Sequence, residues 1–162
     1  MANWCEFSMR VKGKLENVES FFNALTQNDT VWIGRGATAS IKYVKNNIAI
    51  INGWCKWSIQ SALIDNAISM REQDEVGKGI WYQPEINKVR EFLTLFDACE
   101  KYHVNMELYS RRVEAEFEEH VKYENGIIVN ECTKYTEIFD ENSEEWVCTG
   151  GYKWSFDLAE VE

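Results

Sequence analysis

The sequence predicts an α+β fold in which two helices cover one face of an antiparallel sheet. Three observations indicate this fold. Several segments alternate apolar and polar residues, as half-buried strands do; two segments repeat apolar residues at helical spacing; and these segments follow the order β-α-β-β-α-β before a run of further strands. Because the chain has 162 residues, 45% of them apolar, we expect a single domain, residues 1–162, with a sizeable core.

The first elements are a strand and a helix. Apolar and polar residues alternate from Trp4 to Lys12, and Gly13 ends the pattern. Between Leu15 and Leu25 apolar residues recur at helical spacing over about three turns. The glycine-punctuated loop that follows leaves room for a short strand at Val31–Ile33.

The middle of the chain predicts two strands joined by a tight turn, then a short helix, then a mobile loop. Asparagine in Lys45-Asn46-Asn47 tolerates the left-handed backbone of such a turn. The strands are expected at residues 39–44 and 48–59, the helix at 62–70 and the loop at 71–82.

The second half predicts one more helix and an antiparallel meander. Pro84 suits the first turn of the helix, whose apolar stripe runs to about Tyr102. Glu124-Asn125-Gly126 is a strong hairpin turn, and an acidic turn follows at Asp140–Glu145. The strands after the helix are expected at residues 104–109, 113–123, 127–139 and 152–158.

The element order suits a two-layer α+β sandwich of ferredoxin-like βαββαβ type. Residues 1–110 would form this core, and residues 111–162 would form an acidic β-meander extension packed on the same sheet. In this arrangement the first and third strands are neighbours. That arrangement would allow Cys5 and Cys55, each of which follows a tryptophan, to be close, but the sequence leaves open whether they are adjacent.

The cysteines and aromatics of these strands have two interpretations. Five cysteines at wide spacings, without a C-x-x-C pair, favour reduced thiols in the core over a disulfide scaffold, and we expect no metal and no cofactor. A soft-metal or redox pair would need further ligands, so Cys5, Cys55 and His120 are weak metal candidates only. The opposite strand face would expose Trp4 and Trp54, which with Trp81 are candidate aromatic anchors for a partner.

The charge is strongly negative and localised. The formal net charge of −10 disfavours direct binding to nucleic acid and to anionic membranes. Eleven Asp or Glu and two Lys lie between Glu114 and Glu145, which places nine of the ten net charges in that window. Such a surface can serve solubility alone, or it can occupy a basic groove. The acidic face is expected to consist of Glu114, Glu116, Glu118, Glu119, Glu124, Glu137, Asp140, Glu141, Glu144 and Glu145.

Enzyme signatures are absent from the sequence. It contains no nucleophile elbow, no H-E-x-x-H zinc motif and no phosphate-binding loop. Glu114, Glu116 and Glu118 would share one strand face, but three like charges in a row are more often solvated than catalytic. We therefore expect no catalytic residues.

Several short motifs resemble a known family. They are Met-Ala-Asn-Trp-Cys at 1–5, Gly-Trp-Cys-Lys-Trp-Ser at 53–58, Leu-Tyr-Ser at 108–110 and Phe-Glu-Glu-His at 117–120. They resemble the YubB-like ferredoxin-fold family of phage, plasmid and other mobile-element proteins, which is largely uncharacterised. The resemblance implies a ferredoxin-like core and a mobile-element origin, and it implies no activity. Arg111-Arg112 departs from the acidic residues and glycine expected after Tyr109-Ser110.

Together these features predict a non-enzymatic protein of the bacterial host cytoplasm that binds a basic surface of a host nucleic-acid-handling protein. One form of this function is a nucleic-acid mimic that inhibits a restriction or CRISPR nuclease, that is, an anti-restriction or anti-CRISPR protein. The alternatives are a self-associating accessory domain, with a homodimer held by its exposed aromatic residues, and a Cys/His metal-binding protein.

Overall fold

The computed structural model describes residues 4–44, 47–65, 79–83, 88–112, 117–134 and 136–149. The strands are β1 (Trp4–Lys12), β2 (Val31–Ile33), β3 (Thr38–Tyr43), β4 (Ile48–Lys56), β5 (Gly79–Gln83), β6 (Lys88–Leu93), β7 (Asn105–Arg112), β8 (Phe117–Glu124), β9 (Ile127–Lys134), β10 (Thr136–Asp140) and β11 (Glu145–Thr149). The helices are α1 (Leu15–Leu25), a π-helix (Gln60–Asp65) and α2 (Leu95–Lys101).

The fold is α+β and is built on one large antiparallel sheet. Six strands form that sheet in the order β3-β4-β1-β7-β8-β9. A second sheet has the order β2-β6-β5, in which β2 and β6 run parallel, and β10 and β11 form a two-stranded sheet of their own. Few helices and a mostly antiparallel main sheet are compatible with a two-layer sandwich.

Alternation along the strands gives the six-stranded sheet two different faces. In β1, Cys5, Phe7, Met9 and Val11 are buried in one core cluster with residues of α1, the π-helix and α2, and we call this the inner face. The opposite side is the outer face. In α1, Val18, Phe21, Ala24 and Leu25 are buried, whereas Leu15 is exposed.

The helix predicted from Pro84 to Tyr102 is wrong over residues 88–93 and correct over residues 95–101. Lys88–Leu93 is the middle strand of the second sheet, because β6 pairs with β2 on one side and β5 on the other. The helix begins only after Thr94, whose hydroxyl accepts the Asp97 N–H at 3.2 Å. Residues 79–82 of the predicted mobile loop belong to β5, and residues 66–78 and 84–87 lie outside the described residues.

The meander divides into two parts. Strands β8 and β9 extend the six-stranded sheet, whereas the single strand predicted at 127–139 is two strands, β9 and β10. The predicted final strand at 152–158 lies outside the described residues. None of the helices in the part of the chain that the structure describes has the length and hydropathy needed to cross a membrane.

Candidate functional site

The two Trp-Cys pairs, whose adjacency the sequence left open, are neighbours in the sheet. β1 and β4 pair antiparallel so that Cys5 lies directly opposite Cys55. Both cysteines are buried on the inner face, at 0% and 1% exposure. Trp4 and Trp54 project from the outer face and are 52% and 43% exposed. The motif therefore supplies a small core residue and an exposed indole at adjacent positions.

The second Trp-Cys motif also ends β4 and starts the π-helix. Trp57 has a φ of 65°, a left-handed conformation that is strained for a bulky residue, and the Arg35 guanidinium lies 5.1 Å from the centroid of its ring. The Ser58 hydroxyl then accepts the Ser61 N–H at 3.0 Å, as an N-cap does. The chain thus passes from sheet to helix within three residues.

A buried carboxylate holds that turn from another strand. Glu119 of β8, which is 3% exposed, accepts the backbone N–H of Ile59 at 2.9 Å and that of Gln60 at 3.0 Å. It also accepts the Ser110 hydroxyl at 3.1 Å and lies 3.9 Å from the Cys5 thiol. A carboxylate at the start of a helix satisfies N–H groups that have no partner within the helix.

Two residues of the expected acidic face are therefore not surface charges. Glu119 is directed inward because it lies opposite Ser110, on the face that carries Val121. Glu118 points outward but is only 4% exposed, because it pairs with the Arg111 guanidinium, including an Arg111 Nε contact of 2.8 Å. The expectation that both residues are exposed is wrong.

The outer face carries an open groove with a volume of about 610 Å³. Two rows of side chains across the strands form its floor, one with Trp54, Glu6, Arg111 and Glu118 and one with Asn52, Ser8 and Tyr109. The lining is thus polar and aromatic and contains charges of both signs. A groove of this size and composition can receive a side chain or a peptide segment.

Beside this groove, His120 lies among carboxylates. Its Nε2 is 2.9 Å from the fully buried Glu107, and its Nδ1 is 3.4 Å from the exposed Glu131. The Tyr109 ring stacks on the imidazole at 4.5 Å, with an interplanar angle of 6°. Burial lowers the pKa of Arg10. The carboxylate of Glu107, which lies opposite Arg10 on the adjacent strand, offsets part of this lowering.

The three weak metal candidates do not come together. His120 is on the outer face of β8, whereas Cys5 and Cys55 are on the inner face. Among the described residues, no group of three or more His, Cys, Asp or Glu side chains is arranged to hold a metal ion.

Cys5, Cys55, Cys99 and Cys132 are free thiols, and of these four only Cys132 is exposed. A hydrogen bond with Cys5, together with burial, raises the pKa of Cys55. Burial also raises the pKa of Cys99, and burial together with the Glu119 charge raises that of Cys132. Each of these effects favours the neutral thiol.

The remaining acidic residues fall into two places. Glu124 is at the end of β8, where it pairs with Lys122 at 2.9 Å. We call Asp140–Glu145, the turn between β10 and β11, the hairpin tip. In it Glu141, Glu144 and Glu145 are exposed, and Asp140 accepts the Asn142 N–H at 3.0 Å. Glu114 and Glu116 lie outside the described residues; Glu137 lies in β10 and Trp81 in β5.

Comparison of the chain with protein-family models, with curated proteins and with solved structures gives no match. The resemblance to the YubB-like family therefore stays a prediction from sequence motifs.

Proposed function

We propose that this chain is a non-enzymatic binding protein that engages a basic surface of a nucleic-acid-handling protein, such as a restriction or CRISPR nuclease, in the cytoplasm of a bacterial host. The observation that carries this proposal is the hairpin tip. Its six residues contain four carboxylates and no cationic residue, and three of the four carboxylates are exposed. They form the most concentrated negative charge among the described residues of the expected acidic face.

The geometry of the tip favours contact with a cationic groove. Asp140 and Glu145 are directly opposite each other in the last pair of the hairpin, so their Cα atoms are about 5 Å apart. Phosphates along one nucleic-acid strand follow at about 3.4 Å of helix axis, a comparable density of negative charge. Attraction between such charges speeds association and weakens as salt is added.

The exposed indoles supply a second element of binding. Trp4 and Trp54 share the outer face, where Trp54 borders the groove of about 610 Å³. Tryptophan is enriched among the residues that contribute most to protein interfaces. We assign these two residues the role of anchors, and the hairpin tip the role of steering and orienting the partner.

A ferredoxin-like core is part of the same proposal. The strand order β3-β4-β1-β7, with α1 after β1 and α2 before β7, supports a βαββαβ unit. In that assignment β2, β5 and β6 are additions to the unit, and β8 and β9 widen its sheet. A mobile-element origin is supported by the motif resemblance alone.

The test is capture of a partner from bacterial lysate on the immobilised protein, followed by elution with salt. Three baits are compared: the wild type, the tip variant E141Q/E144Q/E145Q, and the control variant E16Q/E19Q/E100Q. The control removes the same charge from exposed positions on the helices. We expect a basic nucleic-acid enzyme on the wild-type and control baits and its loss from the tip variant. Equal capture by the tip variant would refute the assignment of the tip.

A further inference from the structure

The groove on the outer face lies over β1 and has an aromatic side chain on each neighbouring strand. Glu6 and Ser8 of β1 line its floor. Trp54 of β4 is directly opposite Glu6, and Tyr109 of β7 is directly opposite Ser8. Strands two apart in a sheet are separated by about 10 Å, and a planar group contacts a ring face at about 3.5–4 Å. The groove therefore has the width to hold one planar group beside the two rings.

The backbone pattern of β1 and β4 brings Glu6 and Trp54 close together. The Gly13 N–H donates to the Asn47 C=O at 3.0 Å, so the hydrogen-bonded pairs are those of the odd-numbered residues of β1. Glu6 and Trp54 are therefore a non-hydrogen-bonded pair, whose Cα atoms are about 4.5 Å apart and whose side chains approach each other more closely. The carboxylate and the indole thus lie side by side on the outer face.

The charges that line the groove cancel except for that of Glu6. The Arg111 guanidinium pairs with Glu118, with its Nε at 2.8 Å from the carboxylate. Glu6 is exposed, and no ion pair among the described residues uses its carboxylate. Two carboxylates and one guanidinium leave one net negative charge in the lining. The groove therefore favours a cation.

The remaining lining groups favour a guanidinium over other cations. A guanidinium stacks on aromatic faces, tryptophan above all, and is more weakly hydrated than an ammonium. The hydroxyls of Ser8 and Ser40 and the side-chain carbonyl of Asn52 supply acceptors, which the N–H groups of a guanidinium can meet and a quaternary ammonium cannot. The chain contains one contact of this kind already, between Arg35 and the ring of Trp57.

We propose that the groove binds an arginine side chain of the partner protein, with the guanidinium stacked on Trp54 and hydrogen-bonded to Glu6. Tyr109, whose ring stacks on His120 at 4.5 Å, borders the other side of the bound group. This inference rests on the proposed function for the source of the arginine, because surfaces that bind nucleic acid are rich in arginine and lysine. It assigns a chemical partner to the anchor residue Trp54.

The experiment measures binding of a capped peptide, acetyl-Gly-Arg-Gly-amide, by NMR spectroscopy of the isotope-labelled full chain. The signal followed is the indole N–H of Trp54, which the spectrum of W54L identifies. Two peptides with lysine or with uncharged citrulline in place of arginine serve as comparisons. We expect the arginine peptide to shift the Trp54 signal with a lower dissociation constant than the lysine peptide, and the citrulline peptide to leave the signal in place.

Variants of the groove should weaken binding of the arginine peptide. E6Q removes the carboxylate and should raise the dissociation constant about twofold to fivefold, as expected for an exposed ion pair. W54L, followed at the Asn52 amide, should raise it by a similar factor of about two to five because the cation–π contact is lost. The matched variant E16Q removes an exposed carboxylate from α1 and should bind as the wild type.

The peptide measurement separates this inference from the proposed function. E141Q/E144Q/E145Q leaves the groove intact, so it should bind the arginine peptide as the wild type does while it loses the partner from lysate. Peptide binding that depends on Glu6, without capture of a basic partner, would reject the proposed function and keep the groove. Equal binding of the arginine and citrulline peptides, equal binding of the arginine and lysine peptides, or an unchanged affinity in E6Q would overturn the inference.

Discussion

Replacing Glu119 by glutamine tests the link between β8 and the start of the π-helix. The carboxylate uses Oε1 for the Ile59 N–H and Oε2 for the Gln60 N–H. An amide has one carbonyl oxygen and one NH₂ group, so it can accept only one of these two bonds without opposing donor to donor. The substitution keeps the volume of the side chain and changes only its hydrogen bonding and charge.

The cost follows from the bond that is lost. A hydrogen bond to a charged group contributes about 1.5–3 kcal/mol, and a buried N–H without a partner costs about 1–3 kcal/mol. Because these two figures describe the same loss, we expect E119Q to lower the free energy of unfolding by about 1–3 kcal/mol, a sizeable share of the roughly 5–15 kcal/mol of a typical domain. The control E6Q removes an exposed carboxylate from β1 and should change the free energy by at most about 0.5 kcal/mol.

Urea denaturation gives the change in unfolding free energy, and hydrogen exchange locates it. The amides of Ile59 and Gln60 should exchange faster in E119Q than in the wild type or in E6Q. A stability for E119Q within about 0.5 kcal/mol of wild type, with unchanged exchange at both amides, would refute the reasoning.

Three further predictions concern glycine packing and thiol chemistry. G53A should lower the free energy of unfolding, measured by urea denaturation, by about 1–3 kcal/mol, because a β carbon at Gly53 would lie 2.6 Å from that of Ala39 on the adjacent strand. An unchanged free energy of unfolding would contradict this contact. Burial raises the pKa of Cys99, so its contribution to stability is complete below the unfolded-state value near 8.5 and is lost as pH rises above it. C99A should therefore flatten the alkaline fall in stability by up to about 1.4 kcal/mol per pH unit, and an unchanged slope would oppose this assignment. Of Cys5, Cys55, Cys99 and Cys132, maleimide should modify Cys132 first because it alone of the four is exposed, and faster at higher pH because the thiolate is the nucleophile; peptide mass mapping that finds earlier modification of one of the three buried thiols would be inconsistent with the structure.

Elements set by local residues were predictable from the sequence. The Asn125-Gly126 turn supplies the two positive φ values that a tight hairpin requires, and the segments on both sides alternate, so β8 and β9 pair as expected. The pairing of Cys5 with Cys55 was left open by the sequence, because the order of the elements alone does not determine which strands are neighbours.

The second helix was predicted too long because its apolar residues fit two patterns. Val89 and Leu93 have helical spacing, yet β6 gains pairing on both sides from β2 and β5, and this long-range pairing decides the outcome. The helix start was nevertheless present in the sequence, since Thr94 and Asp97 have the spacing of an N-terminal cap.

The sequence indicates the burial of Glu119 but not its hydrogen-bond partners. Period-two alternation places it on the same face as Val121, which indicates burial rather than a place on the acidic surface. Its partners Ile59 and Gln60 are about sixty residues away along the chain, and no local pattern specifies such a contact. The burial of Glu118 has a nearer cause, since its partner Arg111 is only seven residues away on the adjacent strand β7.

Competition with duplex DNA tests most directly whether the hairpin tip binds the nucleic-acid-binding surface of the partner. The partner captured from lysate is bound to labelled DNA, and this protein is added at low salt while DNA release is measured. We expect the wild type to displace the DNA and E141Q/E144Q/E145Q to leave it bound, because the hairpin tip and the phosphates would occupy the same basic surface. A partner that keeps its DNA at saturating wild-type protein, or one that releases it equally to the tip variant, would contradict the account.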